Sequence, residues 1–210
     1  MTATVTGARR LLPAAAACGA VLVLASSADG GLAAGLDGRA FEAVRGHRGP
    51  VAVKVARIVS ALAEPHVVYP VLALAGISGA RQGTWRQAAV PCLVVAGGAA
   101  ARRRLSRVIA RRRPPAGAWL AEPEGFSLPS KHTTLAVLTV GAAVRALGIR
   151  GAPANAAMAI AAAGVGASRV CLGVHWPADV VAGWLFAVGW LHLTDPDLRP
   201  SAPWHGRSVL

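Results

Sequence analysis

The stretch 151-GAPANAAMAIAAAGVGASRVCLGVHWPADVVAGWLFAVGWLHLT-194 decides the fold. It opens on an uncharged run, 151–168, and closes on a second, 180–194. Between them lies a polar connection, 168-SRVCLGVHWPAD-179. A membrane-spanning helix needs roughly 17–25 apolar residues. The first run is rich in Ala and Gly, and small residues let helices approach closely in lipid. The stretch therefore predicts two membrane helices joined by a connection that carries chemistry.

Outward from it the pattern repeats, with uncharged runs at 11–28, 65–80, 87–101 and 132–144. The shorter runs lengthen if a terminal arginine snorkels to the surface; Arg145 lets one helix extend from about His132 to Ile149. Six such runs in 210 residues argue against core helices of a soluble protein. The predicted fold class is all-α: a polytopic membrane protein with about six transmembrane helices. One membrane-embedded domain is expected over 1–210, with a motif core at 102–194 and a polar tail at 195–210. Arg9 and Arg10 before the first run resemble the start of a signal peptide. A retained helix is favoured, because apolar character continues through Leu36 and further spans follow. Residues 37–64 read differently. Val51, Val55, Ile58, Val59 and Leu62 recur at helical spacing, with Lys54 and Arg57 off that stripe. This predicts an amphipathic helix at the membrane interface, or else one packed on a partner helix. Trp85, Trp176 and Trp190 lie near run ends, as interface anchors or as packing residues.

Composition agrees. Hydrophobic residues make up 54% and charged residues 15%, with a mean hydropathy of +0.50. An ordinary soluble domain is about 25% charged, and a disordered chain is poor in apolar residues. The net charge is +13, and 20 of the 22 cations are arginine. Such a balance invites nucleic acid. The charges, however, cluster between long uncharged runs, which points to a membrane protein handling anionic lipids or phosphates, with no nucleic-acid partner. Cys18, Cys92 and Cys171 are far apart and lack metal-ligand spacing, so they read as buried thiols.

Three clusters carry the chemistry. The first, 102-RRRLSRVIARRRPP-115, holds seven arginines; guanidinium groups bind phosphate bidentately, and a juxtamembrane patch on anionic lipid is the plainer reading. In the second, 127-SLPSKHTTLA-136, Ser130 can cap a helix whose N-terminus, with Lys131 and His132, suits an anion. It is equally an ordinary cap. In the third, Ser168-Arg169 is followed by His175 and Asp179, with Pro177 opening the last helix. A carboxylate there can fix the imidazole tautomer and stabilise the imidazolium; a simple capping role is the alternative. With strict alternation of spans, the ends of odd runs and the starts of even runs share one membrane face. All three clusters then meet on that face.

These residues resemble the type-2 phosphatidic acid phosphatase superfamily, whose pattern is Lys-x6-Arg-Pro, Pro-Ser-Gly-His and Ser-Arg-x5-His-x3-Asp. The third motif is matched in full at Ser168, Arg169, His175 and Asp179. The second reads Pro129-Ser130-Lys131-His132, with lysine for glycine. The first keeps Arg113-Pro114 but has Ser106 in place of lysine. The resemblance implies a six-helix, all-α membrane phosphatase without metal or other cofactor. In it His175 attacks phosphorus to form a phosphohistidine, and Asp179 orients His175. His132 protonates the leaving oxygen and later activates water. Arg113, Arg169, Ser130 and Ser168 bind phosphate. Lys131, Arg107 or Arg104 is expected to replace the missing motif lysine. The implied substrate is a lipid phosphate or diphosphate: phosphatidate, an isoprenyl diphosphate or a polyprenyl-phosphoryl sugar phosphate. A degenerate site that binds anionic lipid without cleaving it is the competing expectation. The implied location is the cell membrane, multi-pass, with the site facing outward. Oligomeric state is left open.

Overall fold

The computed structural model describes residues 2–26, 30–80 and 85–194. The described residues form eight α-helices: α1 (Thr2–Ser26), α2 (Gly31–Gly46), α3 (Pro50–Ala61), α4 (Pro65–Ala80), α5 (Trp85–Ile109), α6 (Lys131–Ala146), α7 (Ala152–Cys171) and α8 (Pro177–Leu193). Each of the six uncharged runs falls on its own helix, α1 and α4–α8. The predicted tail at 195–210 lies outside the described residues.

α6 is the axis of the fold, packed against α4, α5, α7 and α8. Its residues from His132 to Thr139 are all buried, as expected of a helix with no polar face to offer solvent. Ser130 caps it by accepting the Thr133 N–H. Thr133 Oγ1 donates to Ser130 Oγ at 3.1 Å and Thr134 Oγ1 donates across to the Gly183 carbonyl of α8 at 3.2 Å, while Thr139 Oγ1 is buried without a partner. Gly183 permits that approach: a Cβ there would fall 2.9 Å from the Ser130 carbonyl oxygen. α1 packs along α8, with Val21 buried against Leu128 and Ala182. The first run is thus part of the helical core.

The segment 37–64 is two helices rather than one. Pro50 cannot donate into a continuing helix and forces Gly49 into an extended conformation (ψ 164°). On α3 the side chains turned toward the protein are Ala56 and Ser60. The apolar stripe Val51, Val55, Ile58 and Leu62 is more than half exposed. Leu22, Leu74, Leu93 and Ile160, on four other helices, are likewise mostly exposed. Exposed apolar surface on this scale marks contact with lipid or a partner. By length and apolarity, Ala152–Cys171 qualifies as a span among the described residues. Pro50–Ala61 with Pro65–Ser78 forms a pair bent by 49° that would make a second. Ala14–Ser26 and Pro177–Leu193 are shorter apolar stretches.

One expectation changes. Cys18 is exposed on α1, and Cys92 and Cys171 are half-buried, rather than buried as expected. Of the two roles offered for the tryptophans, packing contacts are seen at both described side chains: Trp176 meets Phe41 in a tilted ring pair at 5.1 Å, and Trp190 donates to the Val94 carbonyl at 2.9 Å. The side chain of Trp85 lies outside the described residues.

Candidate active site

The connection between α5 and α6 and the one between α7 and α8 converge, as the alternation of runs predicts. His175 sits in the short α7–α8 turn. That turn needs Gly173, whose φ is +77° and whose Cα packs against the Ala118 carbonyl. His175 and Asp179 are both buried, the latter completely. Asp179 Oδ2 lies 3.2 Å from His175 Nδ1 and accepts the Trp176 N–H at 2.8 Å. The carboxylate therefore caps α8 and orients the imidazole at once. With Nδ1–H turned to Asp179, Nε2 keeps its lone pair. Arg113 Nη1 stands 3.2 Å from that nitrogen. Burial pushes the His175 imidazole down to about 4, against the opposing pull of Asp179. The ring is neutral at pH 7.

Arg113 is held by the backbone: it donates to the carbonyls of Val174, Gly125, Glu124 and Phe126 at 2.7–3.1 Å. Arg169 is buried on α7; its Nη1 donates to Ser60 Oγ at 2.7 Å, while its Nε has no partner. His132 Nε2 meets Glu64 Oε1 at 2.8 Å. Lys131 pairs with Glu124 at 2.9 Å, which holds the Glu124 carboxyl below the usual range. A cavity of about 270 Å³ gathers Arg113, Lys131, His132, Arg169 and His175, with Arg57, Ser60 and Glu64 on its wall. Its cations, its histidine pair and one unsatisfied guanidinium nitrogen suit a phosphoryl group.

Five of the eight expected site residues thus meet in one cavity, with Asp179 directly behind His175. Ser130 and Ser168 do not line it. Ser130 is fully buried, its hydroxyl accepting from Thr133, and Ser168 Oγ donates to the Val165 carbonyl at 2.6 Å. Of the cations offered for the missing lysine, Lys131 lines the cavity; Arg104 and Arg107 do not. Among the described residues no group of three or more His, Cys, Asp or Glu side chains is placed to hold a metal.

Four contributors were not anticipated. Arg111 bridges two buried carboxylates, reaching Asp179 Oδ1 and Asp37 Oδ2 at 2.6 Å each. Asp37 in turn accepts the Ala178 N–H at 2.8 Å, which ties α2 to the start of α8. Ser127 Oγ also reaches Asp179 Oδ1, at 3.3 Å. Glu64 is the partner of His132. The alternation argument could have found Asp37 and Glu64, since they follow the first run and precede the second and so belong to the site face.

The chain's residues 82–196, more than half of its length, match the family model of the PAP2 superfamily. The chain belongs to the PAP2 superfamily, and by class it is a phosphatase. A solved structure described as the first transmembrane PAP2-type phosphatidylglycerolphosphate phosphatase from Bacillus subtilis is similar over most of both chains. The TM-score is 0.72 at 25% identity, covering 86% of this chain and 92% of that one. The likeness supports membrane association. No curated protein matches.

Proposed function

We propose that the protein is a multi-pass membrane phosphatase that hydrolyses a lipid phosphate or diphosphate through a phosphohistidine on His175. One observation carries the reading. The buried imidazole has one nitrogen on Asp179 and the other beside Arg113, in a cavity that also holds Arg169 and His132.

Nε2 of His175 attacks phosphorus while the bond to the lipid oxygen breaks. Asp179 stabilises the imidazolium character that develops. Arg113 and Arg169, with Lys131 in place of the motif lysine, face the non-bridging oxygens and stabilise the charge they carry in the transition state. His132, as imidazolium, donates its proton to the leaving alkoxide. The neutral ring then takes a proton from water as the water attacks the phosphohistidine. Glu64 holds Nε2 of that ring, leaving Nδ1 free to exchange the proton. Ser130 and Ser168 act by fixing the backbone around the site, at the α6 cap and the end of α7. The chain itself supplies the cationic phosphate cradle, so turnover is expected without added metal.

The outward apolar stripe of α3 and the apolar surfaces of the long helices suit a chain embedded as one domain with six spans. Arg9 and Arg10 favour a cytoplasmic N-terminus, which turns the site outward. Phosphatidate, isoprenyl diphosphates and polyprenyl-phosphoryl sugar phosphates all present the required group at the bilayer surface.

Phosphate release by the purified protein in detergent, from one lipid of each kind and with EDTA present, tests the reading. Release that survives EDTA and falls at least ~1,000-fold in His175→Ala is expected. A folded protein that binds these lipids without releasing phosphate would instead be a degenerate lipid binder.

A further inference from the structure

A second, larger cavity adjoins the first. It has a volume of about 470 Å³ and lies between α4, α5 and the first turn of α6. Lys131 and Glu124 line both cavities, so a single ligand can occupy the two together. Arg102, Arg103 and Arg107 stand on its wall, and so does Ser106. Arg102 is buried and its guanidinium donates to the Pro129 carbonyl, with no ion pair among the described residues. Arg103 and Arg107 are exposed, and neither forms an ion pair among the described residues. The sole carboxylate on this wall, Glu124, is already bound to Lys131. The opposite part of the wall is apolar: Val68 and Tyr69 from α4, Ala99 from α5, Leu135 from α6. Ala99 lies one helical turn before Arg103 on α5, so the lining changes from cationic to apolar along the helix.

A concentration of unpaired guanidinium groups beside a phosphoryl site is costly unless an anion neutralises it. We propose that this cavity binds a second phosphate of the substrate, one that is not transferred, with Arg103 and Arg107 as its ligands. Arg102 contributes fixed positive charge. The apolar part of the wall takes the first segment of the lipid tail. The substrate class is then a lipid with two phosphate groups: a terminal phosphomonoester or phosphoanhydride for His175, and an inner phosphate for the arginines. The inner group is either the phosphodiester of a bridged head group or the α-phosphate of a diphosphate. The proposal rests on the reading of the His175 cavity as the phosphatase site.

The test compares wild type with Arg103→Gln/Arg107→Gln, a pair of exposed positions away from the His175 cavity. The substrates are phosphatidate (one phosphate), phosphatidylglycerol phosphate (bridged) and a polyprenyl diphosphate (adjacent phosphates). A roughly tenfold or greater fall in kcat/KM is expected for at least one two-phosphate lipid, expressed in KM, with phosphatidate changed less than twofold. Which of the two lipids responds identifies the source of the inner phosphate. Equal changes on all three substrates, or no change on any, would overturn the proposal. Binding separates its failure from failure of the phosphatase reading. In His175→Ala, glycerol 1,3-bisphosphate or pyrophosphate should bind at least tenfold tighter than glycerol 1-phosphate or orthophosphate, respectively. The double substitution should erase that preference. The preference without turnover in wild type would keep the second site and refute the phosphatase reading. Turnover without any preference would do the reverse.

Discussion

Five of the seven arginines of 102–113 divide into two groups with opposite environments. In the loop after α5, Arg111 is clamped between two buried carboxylates and Arg113 is held by four backbone carbonyls. On the last turns of α5, Arg103, Arg104 and Arg107 are exposed and lack carboxylate partners among the described residues. A single run of like charge in the sequence thus performs two kinds of work. The buried group builds the site and holds it still; the exposed group leaves its charge free for a ligand. The difference teaches that the partners an arginine finds, rather than charge count, decide which arginine is structural. A buried ion pair brings little net stability, but removing one partner leaves an uncompensated charge.

That asymmetry predicts the largest effect. Arg111→Gln would strand Asp37 and Asp179 without a counter-charge, costing about 3–5 kcal/mol and loosening His175. Thermal unfolding in detergent should show a large drop in Tm with loss of activity. An Arg104→Gln control should leave both unchanged. If Arg111→Gln is as mild as Arg104→Gln, the division fails.

A smaller effect is expected at Glu64, which acts through His132. Glu64→Gln should lower kcat by about 10–100-fold with KM little changed, within the range general acid–base catalysis contributes. The loss should shrink on a phenyl phosphate carrying a good leaving group, which needs no proton. A purely structural role for Glu64 would depress both substrates alike.

The third effect sharpens the picture of a site sealed from water. His175 is neutral in the folded protein down to about 4, whereas an unfolded histidine titrates near 6.5. Between these values the unfolded chain binds more protons, so stability rises with pH across the window and falls as pH drops through it. The slope of Tm against pH from about 4 to 6.5 should flatten in His175→Gln. An unchanged slope would mean that His175 is solvated.

Much of this was legible in the sequence because it depends on periodicity and on short spacing. Uncharged runs located α1 and α4–α8, and the His175–Asp179 pair is local, four residues apart across one helix start. Contacts between distant segments were not legible. Asp37 reaches Arg111, and Glu64 reaches His132, only because the bundle brings α2 and the α3–α4 turn to the site face. The break at Gly49–Pro50 was visible in principle, since proline restricts its predecessor, but the apolar stripe drew the reading toward one helix. The serines were overestimated for a related reason. A motif places Ser130 and Ser168 near the site without saying whether their hydroxyls face the cavity or a neighbouring backbone group.

The central claim is that His175 carries the phosphoryl group. Rapid acid-free quenching of the protein during turnover of a 32P-labelled lipid phosphate, followed by peptide mapping, tests it most directly. The account predicts a base-stable, acid-labile label on the peptide containing His175. The label should be absent in His175→Ala and should accumulate when His132 is replaced and a good leaving group removes the need for its proton. Turnover with no label on His175 under any of these conditions would contradict it.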